Sequence, residues 1–274
     1  MTDTPLAHMA LLSALTIAGS DSGGGAGTQA ALKTFAARRV HALSASAALT
    51  AQHTRGVTAV NVPDVGFLRA QIDACFDHFD IGAVKLGMLA NAEVIEAVAE
   101  AIEHHRPAHV VLDPVMVSTS GARLLETSAL DAMRGRLIPL ATLITPNLPE
   151  AELLLDRPIA DVAAMHEAID GLRRLGARGV LLKGGHLPGS GDVVDLFAEG
   201  SQVTTIAHPR LQLEAHGTGC TLASAVAANL CLGRSLESSC MVAADYVHAA
   251  LRGGYRPGRS NIVVLDHLGA AAHV

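Results

Sequence analysis

The chain has 274 residues, a net charge of −6, half of its residues hydrophobic, and only 3% aromatic with no Trp. That apolar content supports a large aliphatic core, with roughly three quarters of the chain's surface buried on folding, and excludes a disordered chain. Negative charge and scarce aromatics offer neither the basic footprint nor the stacking platforms that nucleic-acid binding uses.

Met9 to Ala18 is nearly all apolar. The leader before it carries Asp3 and no Lys or Arg, and the run leads straight into Gly19. It therefore reads as a buried first strand and not as a signal-peptide core. No apolar run approaches the roughly 18 residues a membrane span requires. Gly25 to Arg38 reads as a helix and His41 to Val62 as extended chain. Pro63-Asp64 then opens a second helix with a stripe of Val65, Leu68, Ile72, Cys75, Phe76 and Phe79. Ala83–Leu86 is the next strand, and Asn91 caps a helix carrying Val94, Ile95, Val98, Ala101 and Ile102. Val110–Leu112 and Leu143–Ile144 follow as buried strands. Asp161 caps a helix with Val162, Met165, Ile169 and Leu172, and Val180–Leu182 is another strand. Val193–Phe197 and Val203–Ile206 flank Glu199-Gly200 as a hairpin. Two Ala-rich helices, Thr218–Leu232 and Leu236–Leu251, close the pattern.

Alternating strands and helices with continuously apolar strands predict an α/β fold, a mostly parallel sheet covered on both faces. A single domain over 1–274 is expected, its core at about 14–252. Ligands in such sheets sit beyond the carboxyl ends of the strands. The four cysteines, Cys75, Cys220, Cys231 and Cys240, form no CxxC pair and fit a reducing cytoplasm, although a chance pairing in the fold stays open.

The chemistry-bearing segments fall at those strand ends. Within Gly19 to Gly27, the run Gly25-Ala26-Gly27-Thr28-Gln29-Ala30 matches the dinucleotide pattern GxGxxA. The acid that this fingerprint places about 20 residues later is missing, since no Asp or Glu lies between Asp21 and Asp64. No Gly-Lys-Ser/Thr follows either, so a P-loop is excluded. The glycines build either a tight turn or a loop that lets backbone approach a small ligand. His216-Gly217-Thr218-Gly219-Cys220 precedes a helix of small residues, where backbone N–H groups and the helix dipole favour an anion. Cys220 in the first turn is either a thiol of lowered pKa or a buried structural cysteine. Thr145-Pro146-Asn147-Leu148-Pro149-Glu150 offers two oxygen-bearing side chains, for water-mediated Mg²⁺ binding or for a helix cap. Of three lysines, Lys85 and Lys183 lie at strand ends before glycine, as point-charge partners for phosphate. Lys33 reads as a solvated surface residue. Asp113 ends a strand as a further metal-side acid or a loop cap. His78, His104 and His105 read as surface, and no zinc set is apparent.

Taken together, AGSDSGGGAG, TAQHTRGV, VKLGML, VLDPVM, LITPNLPEAE, LLKGGH and HGTGCTLASA resemble, in order, the hydroxymethylpyrimidine/phosphomethylpyrimidine kinases of thiamine synthesis. The resemblance implies a ribokinase-like fold with a small flanking β element, a homodimer, and use of ATP and Mg²⁺. It implies phosphorylation of 4-amino-5-hydroxymethyl-2-methylpyrimidine and then of its monophosphate. By the same resemblance Gln52 hydrogen-bonds the pyrimidine edge, and Gly19, Met88 and Val115 line its pocket. Asn147, Thr145 and Lys183 serve ATP, and Glu150 with Asp113 organises Mg²⁺. Gly217, Thr218, Gly219 and Cys220 form the anion hole, with Cys220 standing where sugar kinases place an Asp base. Three departures bear on substrate identity. Ala31 replaces an acid expected near the substrate, Ala215 replaces a Thr, and Arg256 to Asn261 replace a Gly/His-rich tail. They leave room for a pyridoxine-type kinase or a catalytically weak pyrimidine-binding protein on the same fold.

Overall fold

The structure is a computed structural model and describes residues 12–116, 127–189 and 191–273. Most of the leader lies outside these residues. β1 (Ser13–Gly19) is buried along its whole length, as an apolar run covered on both faces requires. α1 (Gly27–Ala37) returns the chain to β2 (His41–His53), which turns back as β3 (Gly56–Asn61). Then come α2 (Val65–Phe76), β4 (Ile81–Leu86), α3 (Ala92–His105) and β5 (Val110–Leu112). α4 (Thr127–Ala132) runs on through a π turn (Met133–Leu137) and a 3₁₀ turn (Ile138–Leu140) to β6 (Leu143–Ile144). α5 (Leu148–Leu155), α6 (Val162–Arg173), β7 (Gly179–Leu182) and the hairpin β8 (Val193–Glu199) and β9 (Gln202–His208) follow. The chain closes with β10 (Ala215–His216), α7 (Thr218–Cys231), α8 (Leu236–Arg252) and β11 (Val263–Val264).

Nine strands form one sheet in the order β3-β2-β1-β4-β5-β6-β7-β8-β9, and β10 pairs with β11 beside it. The strands from β2 through β7 are parallel, with β3, β8 and β9 antiparallel at the two edges. Strand alternation sorts the core into two layers. Leu15, Ile17, Val84, Leu86 and Leu112 join the layer containing residues of α2, α3 and α6, while Ala14, Ala83, Val111 and Leu143 join that of α1, α7 and α8. Small residues on the second face let α7 sit close; a Cβ on Gly82 would meet the Cys231 sulfur at 2.8 Å. Strand order reverses beside β1, whose neighbours are β2 and β4, so the crevice expected of such sheets opens there.

Most expected elements recur within a residue or two, with their caps. The Asp64, Asn91 and Asp161 side chains each accept a hydrogen bond from the N–H three residues on. Several details differ from expectation. Phe79 lies beyond α2 and is exposed, stacking on His41. His105 is not simple surface, because it lies flat against Phe76 and meets Asp73 at 2.8 Å. All four cysteines are free. Lys33 is half-buried and does more than face solvent: its ammonium donates to the Gly24 carbonyl at 2.7 Å and ties α1 to the glycine loop.

Candidate active site

The glycine loop after β1 wraps around its own carboxylate. Gly23 donates to Asp21 Oδ1 at 2.8 Å, Gly25 and Ala26 donate to Oδ2 at 3.0 and 2.8 Å, and His216 Nε2 meets Oδ2 at 2.9 Å. Burial works to raise the Asp21 carboxyl, but the His216 bond and the Ala26 and Gly23 N–H groups outweigh it and hold the carboxyl below its usual range. His216 also reaches the Gln52 carboxamide at 3.3 Å, and Thr50 Oγ1 lies 3.0 Å from that amide's other end. A strip of close polar contacts therefore joins the first strand end, the β2–β3 hairpin and the start of α7.

Across the crevice, β5, β6 and β7 each end in a polar group. Lys183 donates to Asp113 Oδ1 at 3.0 Å and lies 3.9 Å from Glu150 Oε2. Thr145 donates to Asp113 at 3.2 Å. Asn147 and Glu150 form a reciprocal capping box at the start of α5, with bonds of 2.8 and 2.9 Å. The capping alternative is thus realised, while Glu150 still borders the cavity. Burial, reinforced by Asp113, pushes the Glu150 carboxyl up to about 7 against the pull of Lys183. Burial also opposes the Lys183 charge, yet Asp113 and Glu150 hold its ammonium above the ordinary lysine value.

α7 starts at Gly217, whose φ of +90° suits glycine and whose Cβ would collide with the Gly25 carbonyl. The first N–H to find a helical acceptor is that of Thr221, bonded to Gly217 at 3.0 Å, so the N–H groups before it have no carbonyl within the helix. Space is tight here as well: a Cβ on Gly219 would come within 3.1 Å of Lys183 Nζ. Of the two readings of Cys220, the thiol of lowered pKa is not realised. Burial raises its thiol, and Asp113 adds to that; the lowering effects of Lys85, the Gly27 N–H and Lys183 do not overcome burial.

Two cavities meet at this point. The smaller, about 320 Å³, is lined by Gly19, Gln52, Lys85, Met88, Asp113, Val115, Asn147, Glu150, Lys183 and Gly217 to Cys220, among others. The larger, about 530 Å³, has an apolar wall that includes Leu211, Leu213, Leu222, Val247 and Leu251. Asn147, Lys183, Thr218 and Gly219 border both. The site residues named from sequence come together here with one exception. Thr145 is fully buried outside both linings and reaches the site only through Asp113. Ala31 is also misplaced by the sequence expectation, since it is packed in the α1–α7 core layer, away from the cavity. Ala215 does border both cavities. Sequence reasoning missed the Asp21–His216 contact, which spans 195 positions, and the apolar wall, drawn from a loop and two helices.

A model of the phosphomethylpyrimidine kinase family matches residues 21–265. The chain belongs to this family. The hydroxymethylpyrimidine/phosphomethylpyrimidine kinase of Rhizobium meliloti is 47% identical over 240 residues, covering 87% of the chain and 90% of that protein. The thiamine biosynthesis bifunctional protein ThiED of Geobacter sulfurreducens is 46% identical across 96% of the chain, but the chain spans only 53% of that larger protein. Among solved structures, the pyridoxal kinase of Staphylococcus aureus in complex with AMP-PCP and pyridoxal superimposes with a TM-score of 0.87 at 30% identity, covering 95% of each chain. The kinase therefore has a ribokinase-like fold, as its sequence suggested. Among its described residues no helix is long and apolar enough to cross a membrane.

Proposed function

We propose that this kinase transfers the γ-phosphoryl group of ATP to the hydroxymethyl group of 4-amino-5-hydroxymethyl-2-methylpyrimidine, and then to the resulting monophosphate. The observation that carries this reading is the meeting of two cavities at Lys183 and the first turn of α7. The larger cavity, with its apolar wall, suits the nucleotide, and the smaller suits the ring beside Gln52. The transferred group passes between them, where N–H donors and an ammonium face the negative charge of phosphoryl transfer. Cys220 stands beside the acceptor hydroxyl as the proton acceptor. A coupled assay of ADP release across pyrimidine and pyridoxal-type acceptors tests the assignment. The likeness to pyridoxal kinase favours a second reading, phosphorylation of a pyridoxal-type vitamin, and the same assay decides it. Turnover of the vitamin alone would overturn the pyrimidine reading.

The residues present also fit Mg²⁺. Glu150 and Asp113 are buried acids beside the proposed phosphate path, yet no three His, Cys, Asp or Glu side chains converge as a metal cluster among the described residues. That suits an ion held mainly by nucleotide oxygens and water, with the two acids at one remove. When bound, the ion would neutralise charge on the β- and γ-phosphates. Glu150 binds a proton below about 7 and carries its charge above it, so Mg²⁺-ATP affinity should improve as pH rises through that value. Glu150→Gln should weaken Mg²⁺-ATP use and flatten that dependence. Pyrimidine affinity measured without nucleotide should stay near wild type, and a large loss there would show that Glu150 serves the other cavity.

Gln52 is expected to read the ring edge, since one carboxamide both donates and accepts. Gln52→Leu leaves buried polar groups of the substrate unpaired and should cost about 1–3 kcal/mol of pyrimidine binding. Calorimetric titration on a variant with wild-type thermal stability checks this. Undiminished affinity would move the ring elsewhere.

A further inference from the structure

Lys85 is the lysine that the proposed chemistry leaves unused. Lys33 donates to Gly24 at 2.7 Å and Lys183 to Asp113 at 3.0 Å. Lys85 is 0% exposed, and its Nζ has no hydrogen-bond partner among the described residues. Burying an unpaired cation is costly, so an orphan of this kind needs an explanation in what completes it. Thr16, its register partner on β1, likewise keeps a buried, unbonded hydroxyl. The Lys85 side chain folds back over Gly87, where a Cβ would collide with Nζ. From there it lines the smaller cavity beside Gly27, Met88 and Cys220, and it takes no part in the larger one.

We propose that Lys85 binds the phosphate of a phosphorylated acceptor and so serves the second transfer, from monophosphate to diphosphate. The inference rests on the pyrimidine reading above, and the two transfers make different demands. In the first, a neutral alcohol attacks the γ-phosphorus, its O–H proton leaves as the new O–P bond forms, and ADP departs with the electrons of the broken bond. In the second, the attacking oxygen belongs to a phosphate monoester, largely dianionic near neutral pH because its second pKa is about 6. It forms the new O–P bond without a proton to remove, and ADP departs as before. This step instead requires a cation on the acceptor side, to bind the dianion and offset its repulsion by the phosphates of ATP. Lys183 is already paired with two acids at the junction. Lys85 is unpaired and lies on the acceptor side, and its compact ammonium suits a phosphate.

Lys85→Met removes the charge but keeps an apolar stem of similar length, and because Nζ has no hydrogen-bond partner among the described residues the change leaves no such partner behind. Its rate with the monophosphate should fall at least about thirtyfold further than its rate with the hydroxymethyl compound, as expected for loss of a charge-assisted contact to phosphate. Binding of the monophosphate without nucleotide should weaken at least about tenfold, and ³¹P line broadening of inorganic phosphate by the protein should shrink. Lys85→Gln, which keeps a donor without charge, gives the same selective loss and covers the case in which the Met variant does not fold. Equal losses in both steps, or loss confined to the hydroxymethyl step, would overturn the proposal and assign Lys85 to Cys220 or to the group in flight. If the wild type accepts neither pyrimidine, the substrate reading fails instead, and phosphate broadening by wild type against variant still decides the role of Lys85.

Discussion

Replacing Cys220 by serine is expected to lower kcat for the hydroxymethyl acceptor by about 10²–10⁴, the usual worth of a general base. ATP affinity should barely change, because the backbone N–H groups of α7 stay in place. The structure sharpens the test. Burial raises the Cys220 thiol, and Lys85 and Lys183 only partly offset it, so the thiolate that a base requires forms at higher pH than for a free cysteine. Hence kcat should climb with pH on the alkaline side of neutrality in the wild type, and that limb should vanish in Cys220→Ser. Cys220→Asp should restore part of the rate, since a carboxylate can accept the same proton. The monophosphate needs no base, so its rate should suffer less in the serine variant. Near-full kcat for the hydroxymethyl acceptor in Cys220→Ser would leave catalysis to the helix terminus, the proposed Mg²⁺ and Lys183, with the sulfur only filling space.

The sheet was legible in the sequence because its central strands are buried on both faces and read as unbroken apolar runs. Ser13–Gly19 and Gly179–Leu182 are fully buried, and Gly19 and Lys183 stand at or just after their ends. The site was legible for the same reason: parallel strands point their carboxyl ends at one crevice, so polar residues just after an apolar run converge. What escaped depends on helix phase or on distant packing. Ala31 occupies a position that sequence likeness places near the substrate, yet it shares the buried face of α1 with Phe35 and packs in the α7 layer. The helix terminus left an acidified or a buried Cys220 thiol open, and only the three-dimensional packing shows that desolvation prevails. Lys33 looked solvated because nothing local shows that the glycine loop folds back within 2.7 Å of it. The Thr127–Leu140 segment breaks its helical period at Gly135 and Pro139, and it forms successive α, π and 3₁₀ turns.

Lys183→Met is expected to cost the site both stability and catalysis. Its ammonium touches Asp113 at 3.0 Å and lies 3.9 Å from Glu150, and both carboxylates are almost wholly buried. Removing one partner of a buried ion pair leaves uncompensated charge and typically costs about 3–5 kcal/mol. The cost should depend on pH in a definite sense. Burial already raises Glu150 to about 7 while Lys183 pulls against it, so without that ammonium the carboxyl rises further. A carboxyl raised in the folded state contributes stability that is present below its unfolded value and is lost as pH rises through the folded one. Thermal unfolding of the variant should therefore approach that of the wild type in mild acid and fall away from it above neutrality. Catalysis should drop separately by about 10²–10³, the worth of one preorganised group facing transition-state charge. Measuring kcat at the acidic end, where the variant stays folded, separates the two losses. A variant that matches wild-type kcat there would confine Lys183 to holding Asp113 and Glu150 together, and the phosphoryl group would then be stabilised by α7 and the proposed Mg²⁺.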